Sequence, residues 1–151
     1  MARQPGASAQ AFRDEHGGTA LHRAAVNGFA LCAKEILRVE PTVVDVTDTT
    51  AGNAALHYAC AYGHNAVVDV LLRLHARVDT PNAKGNTPLH LAAMEGRTMC
   101  AQLLLDAGAN ADMKNRQFAA PLRLADRFGK VDVAEVLRRH RHQKSQSKKR
   151  T

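Results

Sequence analysis

A four-residue motif recurs along the chain at a nearly constant interval. Leu-His-x-Ala begins at Leu21, Leu56 and Leu89, and a weaker copy, Leu-Arg-Leu-Ala, begins at Leu122. These leucines are 35, 33 and 33 residues apart, and a glycine follows each of them seven residues later. Two landmarks that share one period indicate tandem repeats, in which each unit buries its apolar face only against its neighbours.

The third copy carries the fullest motif, Gly-Asn-Thr-Pro-Leu-His-Leu-Ala-Ala, over residues 85–93. A period near 33 with Thr-Pro-Leu-His-x-Ala resembles the ankyrin repeat. The resemblance implies an all-α repeat fold, an ankyrin-type α-solenoid of helix-turn-helix pairs joined by β-turn or hairpin loops. It covers about residues 14–140, in four repeats placed at approximately 14–44, 45–78, 79–111 and 112–140.

The sequence of the third repeat predicts where its two helices begin and end. Thr87 is an N-cap residue, and Pro88 suits the first helical position because its missing N–H needs no partner there. Gly96 ends this first helix in the left-handed region. The pattern then predicts a second helix from Thr98 to Asp106.

The other repeats depart from this pattern at single positions. Ala54 replaces the capping threonine in repeat two, and the second helix of repeat one is expected to stop before Pro41. His75 stands where repeat three has Gly108, and Phe118 stands where a turn glycine is expected. Terminal repeats are atypical because one face meets water, so we expect repeat four to open first.

The charge of the chain is concentrated at one end. The net charge is +7, and all fourteen acidic residues lie at or before Glu135. We predict a disordered N-terminal segment over residues 1–13 and a disordered basic tail over residues 141–151. The terminal cations are a candidate nuclear import signal or a nonspecific contact for nucleic acid: Arg138, Arg139, Arg141, Lys144, Lys148, Lys149 and Arg150.

The composition of the chain indicates in which cellular compartment the protein is expected. No apolar run reaches the eighteen or so residues that a membrane span needs, so no membrane contact is expected. The three cysteines are an odd number without short-range spacing, which argues against a disulfide framework and favours a reducing compartment. We therefore expect a cytoplasmic or nuclear protein, or one found in both.

Histidines and cysteines are the residues that could carry chemistry. His22, His57 and His90 sit at equivalent repeat positions, separated by about 8–10 Å in stacked helices, whereas ligands of one zinc ion lie within about 4 Å of each other. The family resemblance implies a structural role instead, hydrogen bonding between neighbouring turns. Cys32 and Cys100 alternate with valine in the repeats and are interpreted as small buried apolar side chains.

No phosphate loop, nucleophile elbow or metal-binding helix motif occurs. The repeats also leave no room for a separate catalytic domain. We therefore predict no enzyme activity, no cofactor and no metal.

The resemblance places partner contacts on the concave face, formed by the first helices and the turn tips. The positions carried over are Val26, Asn27, Asp48, Thr50, Asn53, Tyr62, Lys84, Asn86, Met94, Glu95, Arg116, Gln117, Arg127 and Phe128. Tyr62, Met94 and Phe128 are expected to form an apolar strip of a kind enriched at interface centres. The predicted function is a monomeric, non-catalytic adaptor or regulator that binds another protein. The alternative is a nuclear regulatory factor that uses the basic tail.

Overall fold

Eight α-helices arranged as four antiparallel pairs make up the described part of the chain, and they confirm the all-α repeat fold. The structure is a computed structural model that describes residues 13–149, and no β-strand occurs within that range. The helices are α1 (Ala20–Asn27), α2 (Ala30–Val39), α3 (Ala55–Tyr62), α4 (Asn65–Arg73), α5 (Pro88–Glu95), α6 (Thr98–Asp106), α7 (Pro121–Arg127) and α8 (Val131–Lys149). A short 3₁₀ helix, Pro41–Val43, follows α2.

The pairs stack side by side along one direction. First helices α1, α3, α5 and α7 contact one another in order, and second helices α2, α4, α6 and α8 do the same. Leu21, Leu56 and Leu89 fill the space between the rows and are at most 1% exposed. The motif alanines, such as Ala59 and Ala92, are fully buried and allow close helix approach. The core is therefore a continuous strip shared by all four repeats.

The helix boundaries predicted for repeat three are confirmed. The Thr87 side chain accepts a hydrogen bond from the backbone N–H of His90, and Pro88 is the first residue of α5. Gly96 ends α5 with a φ of 72°, and α6 spans Thr98–Asp106 as expected. Local capping chemistry and the apolar pattern agree here, which is typical of a strongly specified segment.

Departures in the other repeats also have the expected geometry. His75 and Phe118 occupy the left-handed region with φ values of 66° and 58°, although neither is glycine. α2 ends before Pro41, and Ala54 provides no side-chain cap for α3. Each of these positions follows the backbone path that the regular repeat prescribes.

A carboxylate or amide side chain closes the turn that begins each repeat. Its Oδ1 accepts hydrogen bonds from two backbone N–H groups further along the turn, an Asx-type arrangement. The four residues are Asp14, Asp48, Asn82 and Asn115. The turn of repeat two closes from Asp48 to Asn53, one residue longer than the turn from Asn82 to Asn86. One of the two extra residues of repeat two therefore lies in this turn.

The last helix corrects the predicted tail. Residues 141–149 continue α8 as helix, whereas the sequence analysis expected disorder from residue 141. An established helix extends without a new nucleation cost, and Arg, Gln and Lys are good helix formers. Cations near the C-terminus, such as Lys148 and Lys149, also interact favourably with the helix dipole. The N-terminal prediction for residues 1–13 lies outside the described residues, apart from Arg13.

The end of the stack carries charge where the inner repeats are apolar. Asp126 occupies the repeat position of Cys60 and Ala93, and both of these are fully buried. Arg138 occupies the position of the buried Leu105, and it pairs with Asp126 at 2.6 Å. Both side chains are about half exposed, as suits a face that meets water.

Candidate protein-binding site

Two grooves lie where first helices meet the turns. The larger one, which we call the C-terminal groove, has a volume of about 510 Å³ and belongs to repeats three and four. It is lined by Ala83, Lys84, Asn86, Met94, Asn115, Arg116, Gln117, Leu124, Arg127 and Phe128. The smaller one, the N-terminal groove, has a volume of about 350 Å³ and belongs to repeats one and two. It is lined by Asp14, His16, Gly18, His22, Arg23, Val26, Asn27, Asp48, Thr50 and Tyr58.

These grooves bring together most of the residues predicted for partner contact. The C-terminal groove contains Lys84, Asn86, Met94, Arg116, Gln117, Arg127 and Phe128, and the N-terminal groove contains Val26, Asn27, Asp48 and Thr50. Asn53, Tyr62 and Glu95 line neither of them. Partner contact by the residues that remain accessible stays a prediction.

Asp48 and Asn86, two of the residues predicted for partner contact, form hydrogen bonds that support the turns. Both side chains are only 5% exposed. Asp48 accepts hydrogen bonds from the N–H groups of Ala51 and Asn53 and from the hydroxyl of Tyr58. Burial raises the pKa of Asp48, but these three donors outweigh it, so the pKa lies below its usual value. The carboxylate is therefore committed to internal hydrogen bonds.

Amide side chains join one turn to the next. Asn86 Oδ1 accepts a hydrogen bond of 2.8 Å from Asn115, and Asn53 Oδ1 accepts one of 2.9 Å from Asn82. Backbone hydrogen bonds follow the same path, because the N–H of Arg116 donates to the carbonyl of Lys84 at 3.1 Å. The turns that border the grooves are thus connected to one another rather than free to move singly.

The motif histidines form a second line of hydrogen bonds between repeats. His57 Nδ1 accepts from the N–H of Ala54 at 3.0 Å, which leaves the proton on Nε2. Nε2 then donates to the carbonyl of Asn86, in the next repeat, at 3.1 Å. His22 and His90 make the equivalent bonds to the next repeat. The structural interpretation of these histidines is confirmed.

Burial favours the neutral form of two of these imidazoles, His57 and His90. Burial lowers the pKa of His57 to about 4, because the charged ring would lose its hydration. The pKa of His90 is lowered for the same reason. Among residues 13–149, no group of three or more His, Cys, Asp or Glu side chains is arranged to hold a metal ion.

The cysteines divide into one exposed and two buried thiols. Cys60 and Cys100 are buried, and burial raises the pKa of Cys60 well above its usual value. The prediction that Cys32 is a buried apolar side chain is wrong, because this thiol is exposed. The equivalent residues Val67 and Cys100 are fully buried, and the Cys100 thiol donates a hydrogen bond to Asn65 of the preceding repeat. Cys32 belongs to the first repeat, so it has no such neighbour among the described residues.

The predicted apolar strip is only partly continuous. Met94 and Phe128 line the same groove, and Phe128 is 49% exposed. Tyr62 is 51% exposed but lies outside both grooves and stacks on His64, with ring centroids 6.3 Å apart. Phe128 also lies beneath the guanidinium of Arg127, 5.9 Å from the ring centroid.

The sequence analysis did not identify one repeat position that lines the grooves. The variable residue x of Leu-His-x-Ala is Arg23, Tyr58, Leu91 or Leu124, and three of these four line a groove. Helical geometry explains this, because the flanking Leu and Ala face the core. A residue that varies inside an otherwise constant motif was the signal available in the sequence.

Stacked helix pairs joined by hydrogen-bonded turns define a helical repeat protein of the solenoid class. A family model described as "Ankyrin repeats (3 copies)" matches residues 5–82, and one described as "Ankyrin repeat" matches residues 84–116. The chain belongs to the ankyrin repeat family. Ankyrin repeats are generally protein–protein interaction modules. The comparison with curated proteins gave no match. No helix within residues 13–149 is both long and apolar enough to cross a membrane.

Proposed function

We propose that this protein is a non-catalytic adaptor or regulator that binds a protein partner along its concave face. The observation that carries the proposal is the pair of open grooves on a pre-formed frame of linked turns. Pre-organised surfaces lose little conformational entropy on binding. A frame fixed by hydrogen bonds therefore suits recognition of a partner.

Accessible apolar side chains support the same proposal. Tyr62 at the end of α3 and Phe128 just after α7 are each about half exposed, although a fold gains by burying aromatic rings. Met94 is partly buried and borders Phe128 in the C-terminal groove. Aromatic and methionine side chains of this kind are enriched at the centres of protein interfaces.

The test compares two triple variants of the full chain. In the concave variant, Tyr62, Met94 and Phe128 are replaced by alanine. In the control variant, Leu31, Met99 and Val131 are replaced by alanine; these residues are exposed on second helices. Both variants remove three apolar side chains, so they differ mainly in which face they change.

Partner binding is measured by affinity capture from native cells with crosslinking. Circular dichroism establishes that both variants are folded. We expect the concave variant to lose at least about 90% of the captured partner, since hot-spot truncations cost roughly 2 kcal/mol or more. The control variant is expected to capture as much as the unmodified chain. Equal capture by the concave variant, with an intact fold, would contradict the proposal.

We also propose that the protein acts in the cytoplasm, the nucleus or both, with the terminal cations as the candidate import signal. Arg141, Lys144 and Lys149 lie on the exposed part of α8. This arrangement leaves their charges accessible to an import receptor. The nuclear regulatory factor remains the second candidate, and removal of this segment tests it.

A further inference from the structure

Three cations in the C-terminal groove have no acidic partner among residues 13–149. Lys84, Arg116 and Arg127 all line it, and no carboxylate does. Within residues 13–149, none of these three side chains forms a salt bridge. The nearest acids in sequence do not line the groove: they are Asp79 for Lys84, Asp112 for Arg116, and Asp126, which is paired with Arg138, for Arg127.

Several other surface cations do have acidic partners. Arg38 lies 2.5 Å from Glu35, Arg73 lies 2.9 Å from Asp69, and Arg139 pairs with Glu135 within α8. These side chains have neutralising partners on their own helix. The unpaired cations of the groove therefore form a local positive surface rather than part of a balanced one.

Apolar side chains lie among these cations. Met94, Leu124 and Phe128 line the same groove, and Phe128 is half exposed beneath the guanidinium of Arg127. A ligand that fits such a surface needs an apolar side chain to cover Phe128, with carboxylates on either side of it. Neither a purely acidic nor a purely apolar segment uses both features.

The positions of two of the cations are fixed by the fold. Lys84 and Arg116 lie on neighbouring turns, which are joined by the Arg116 N–H to Lys84 carbonyl bond of 3.1 Å and by the Asn86–Asn115 amide bond of 2.8 Å. A Cβ added at Gly85 would come within 2.8 Å of the backbone nitrogen of Arg116, which shows how closely the two turns approach. The backbone that carries these charges is therefore set before a ligand arrives.

The N-terminal groove has no such excess of cations. It is lined by the carboxylates Asp14 and Asp48, and Arg23 lies 3.9 Å from Asp14. The concave face is therefore electrically asymmetric along the stack. An extended acidic segment is attracted to repeats three and four and has no such attraction to repeats one and two.

We propose that the C-terminal groove binds an acidic peptide segment of a protein partner, anchored by one large apolar side chain against Phe128. This inference rests on the proposed function and adds the chemistry of the ligand. A protein segment fits better than a nucleic acid, because Phe128 is the only aromatic ring among the described residues that line the groove, and the cations share the groove with the apolar side chains of Met94 and Leu124. Single-strand binding uses several stacking platforms along a basic path.

The test begins with selection of binders from a random dodecapeptide phage library on the full-length protein. Selected peptides are synthesised with a fluorophore, and their affinities are measured by polarisation at about 0.15 M salt, where the Debye length is about 8 Å. The groove variant carries Lys84→Gln, Arg116→Gln and Arg127→Gln. An oligothymidine of the same length is titrated in parallel.

A charge-matched control variant carries Lys34→Gln, Arg73→Gln and Arg139→Gln. These cations are exposed on second helices, so the control removes the same net charge away from the groove. Circular dichroism establishes that both variants are folded. A third variant, Phe128→Ala, tests the anchor separately from the charges.

We expect selected peptides to be rich in Asp and Glu around a Phe, Leu or Met. The groove variant should weaken them about ten-fold, roughly two-fold for each exposed ion pair lost, and the control variant should leave their affinity unchanged. Neutral or basic binders, or acidic binders that the groove variant does not weaken, would overturn the inference. So would a selection that yields no binder, or oligothymidine binding tighter than any selected peptide.

Those failures are distinct from failure of the proposed function. Neutral peptides that compete with the natural partner on the concave face would refute only the ligand chemistry. Loss of capture by the control apolar variant but not by the concave variant would refute the site itself.

Discussion

Acidification should remove the stabilising contribution of His57 over a defined pH range. Burial holds the folded pKa of this imidazole at about 4, against about 6.5 for a histidine in an unfolded chain. Below pH 6.5 the unfolded chain therefore binds a proton that the folded chain excludes. The stability present above pH 6.5 is lost as the pH falls towards 4.

The size of the stability loss follows from the difference between the folded and unfolded pKa values of His57. Each pH unit within the range costs about 1.4 kcal/mol, so the total loss is about 3 kcal/mol from this residue. His57→Gln removes the titrating group but also disrupts the hydrogen bonds to the Ala54 N–H and the Asn86 carbonyl. That disruption costs about 2 kcal/mol at neutral pH. The advantage of the unmodified protein over the variant should therefore disappear near pH 5.

Urea unfolding between pH 7.5 and pH 5 measures the free energy of unfolding of both chains. Val67→Ala is the control, because Val67 is fully buried on α4 and carries no titratable group. Its stability deficit should stay constant across the same pH range. A stability deficit of His57→Gln that is equally constant across this pH range would refute the prediction, because His57 would then bind protons equally in the folded and the unfolded chain.

Three further outcomes follow from the structure. In the native protein, a disulfide reagent such as Ellman's reagent should modify Cys32 rapidly, and Cys60 and Cys100 should react only after unfolding; two fast thiols would contradict the burial seen here. Amides of α7 should exchange hydrogen faster than those of α5, because within residues 13–149 repeat four has a neighbour on one side only, and best protection of repeat four would refute this. Truncation after Arg139 should reduce the nuclear fraction of a fluorescent-protein fusion, and an unchanged distribution would eliminate an import role for the removed cations.

Local signals in the sequence predict the repeated helices well. Thr87, Pro88 and Gly96 each act through their own backbone chemistry, so their positions fix the ends of α5 without knowledge of the rest of the fold. His75 and Phe118 could be placed in the left-handed region because the repeat specifies the backbone path, whichever residue occupies it.

Features that depend on neighbouring repeats were harder to predict. Cys32 has the same local sequence context as its buried equivalents, and only its place at the edge of the stack exposes it. The helix beyond His140 has no apolar periodicity, so a search for a buried face could not find it. It extends from a segment already held by Val133 and Leu137, both of which are buried.

The sequence analysis also did not predict which residues of the turns stay accessible. Family position identifies the turns as contact elements, but it does not separate side chains that support a turn from those that face outward. Asp48 and Asn86 support their turns, whereas Lys84 and Arg116 on the same elements stay exposed. The recurrence of Asp or Asn at the start of every turn would have identified Asp48, but not Asn86, which stands at the end of its turn.

The ion pair between Asp126 and Arg138 has a consequence for self-association. A second molecule added end-on at α7 and α8 would have to strip water from both charged groups, at a cost of several kcal/mol for each ion. That desolvation cost opposes head-to-tail growth of molecules into filaments through this end, even though each molecule is itself built by repeating one contact.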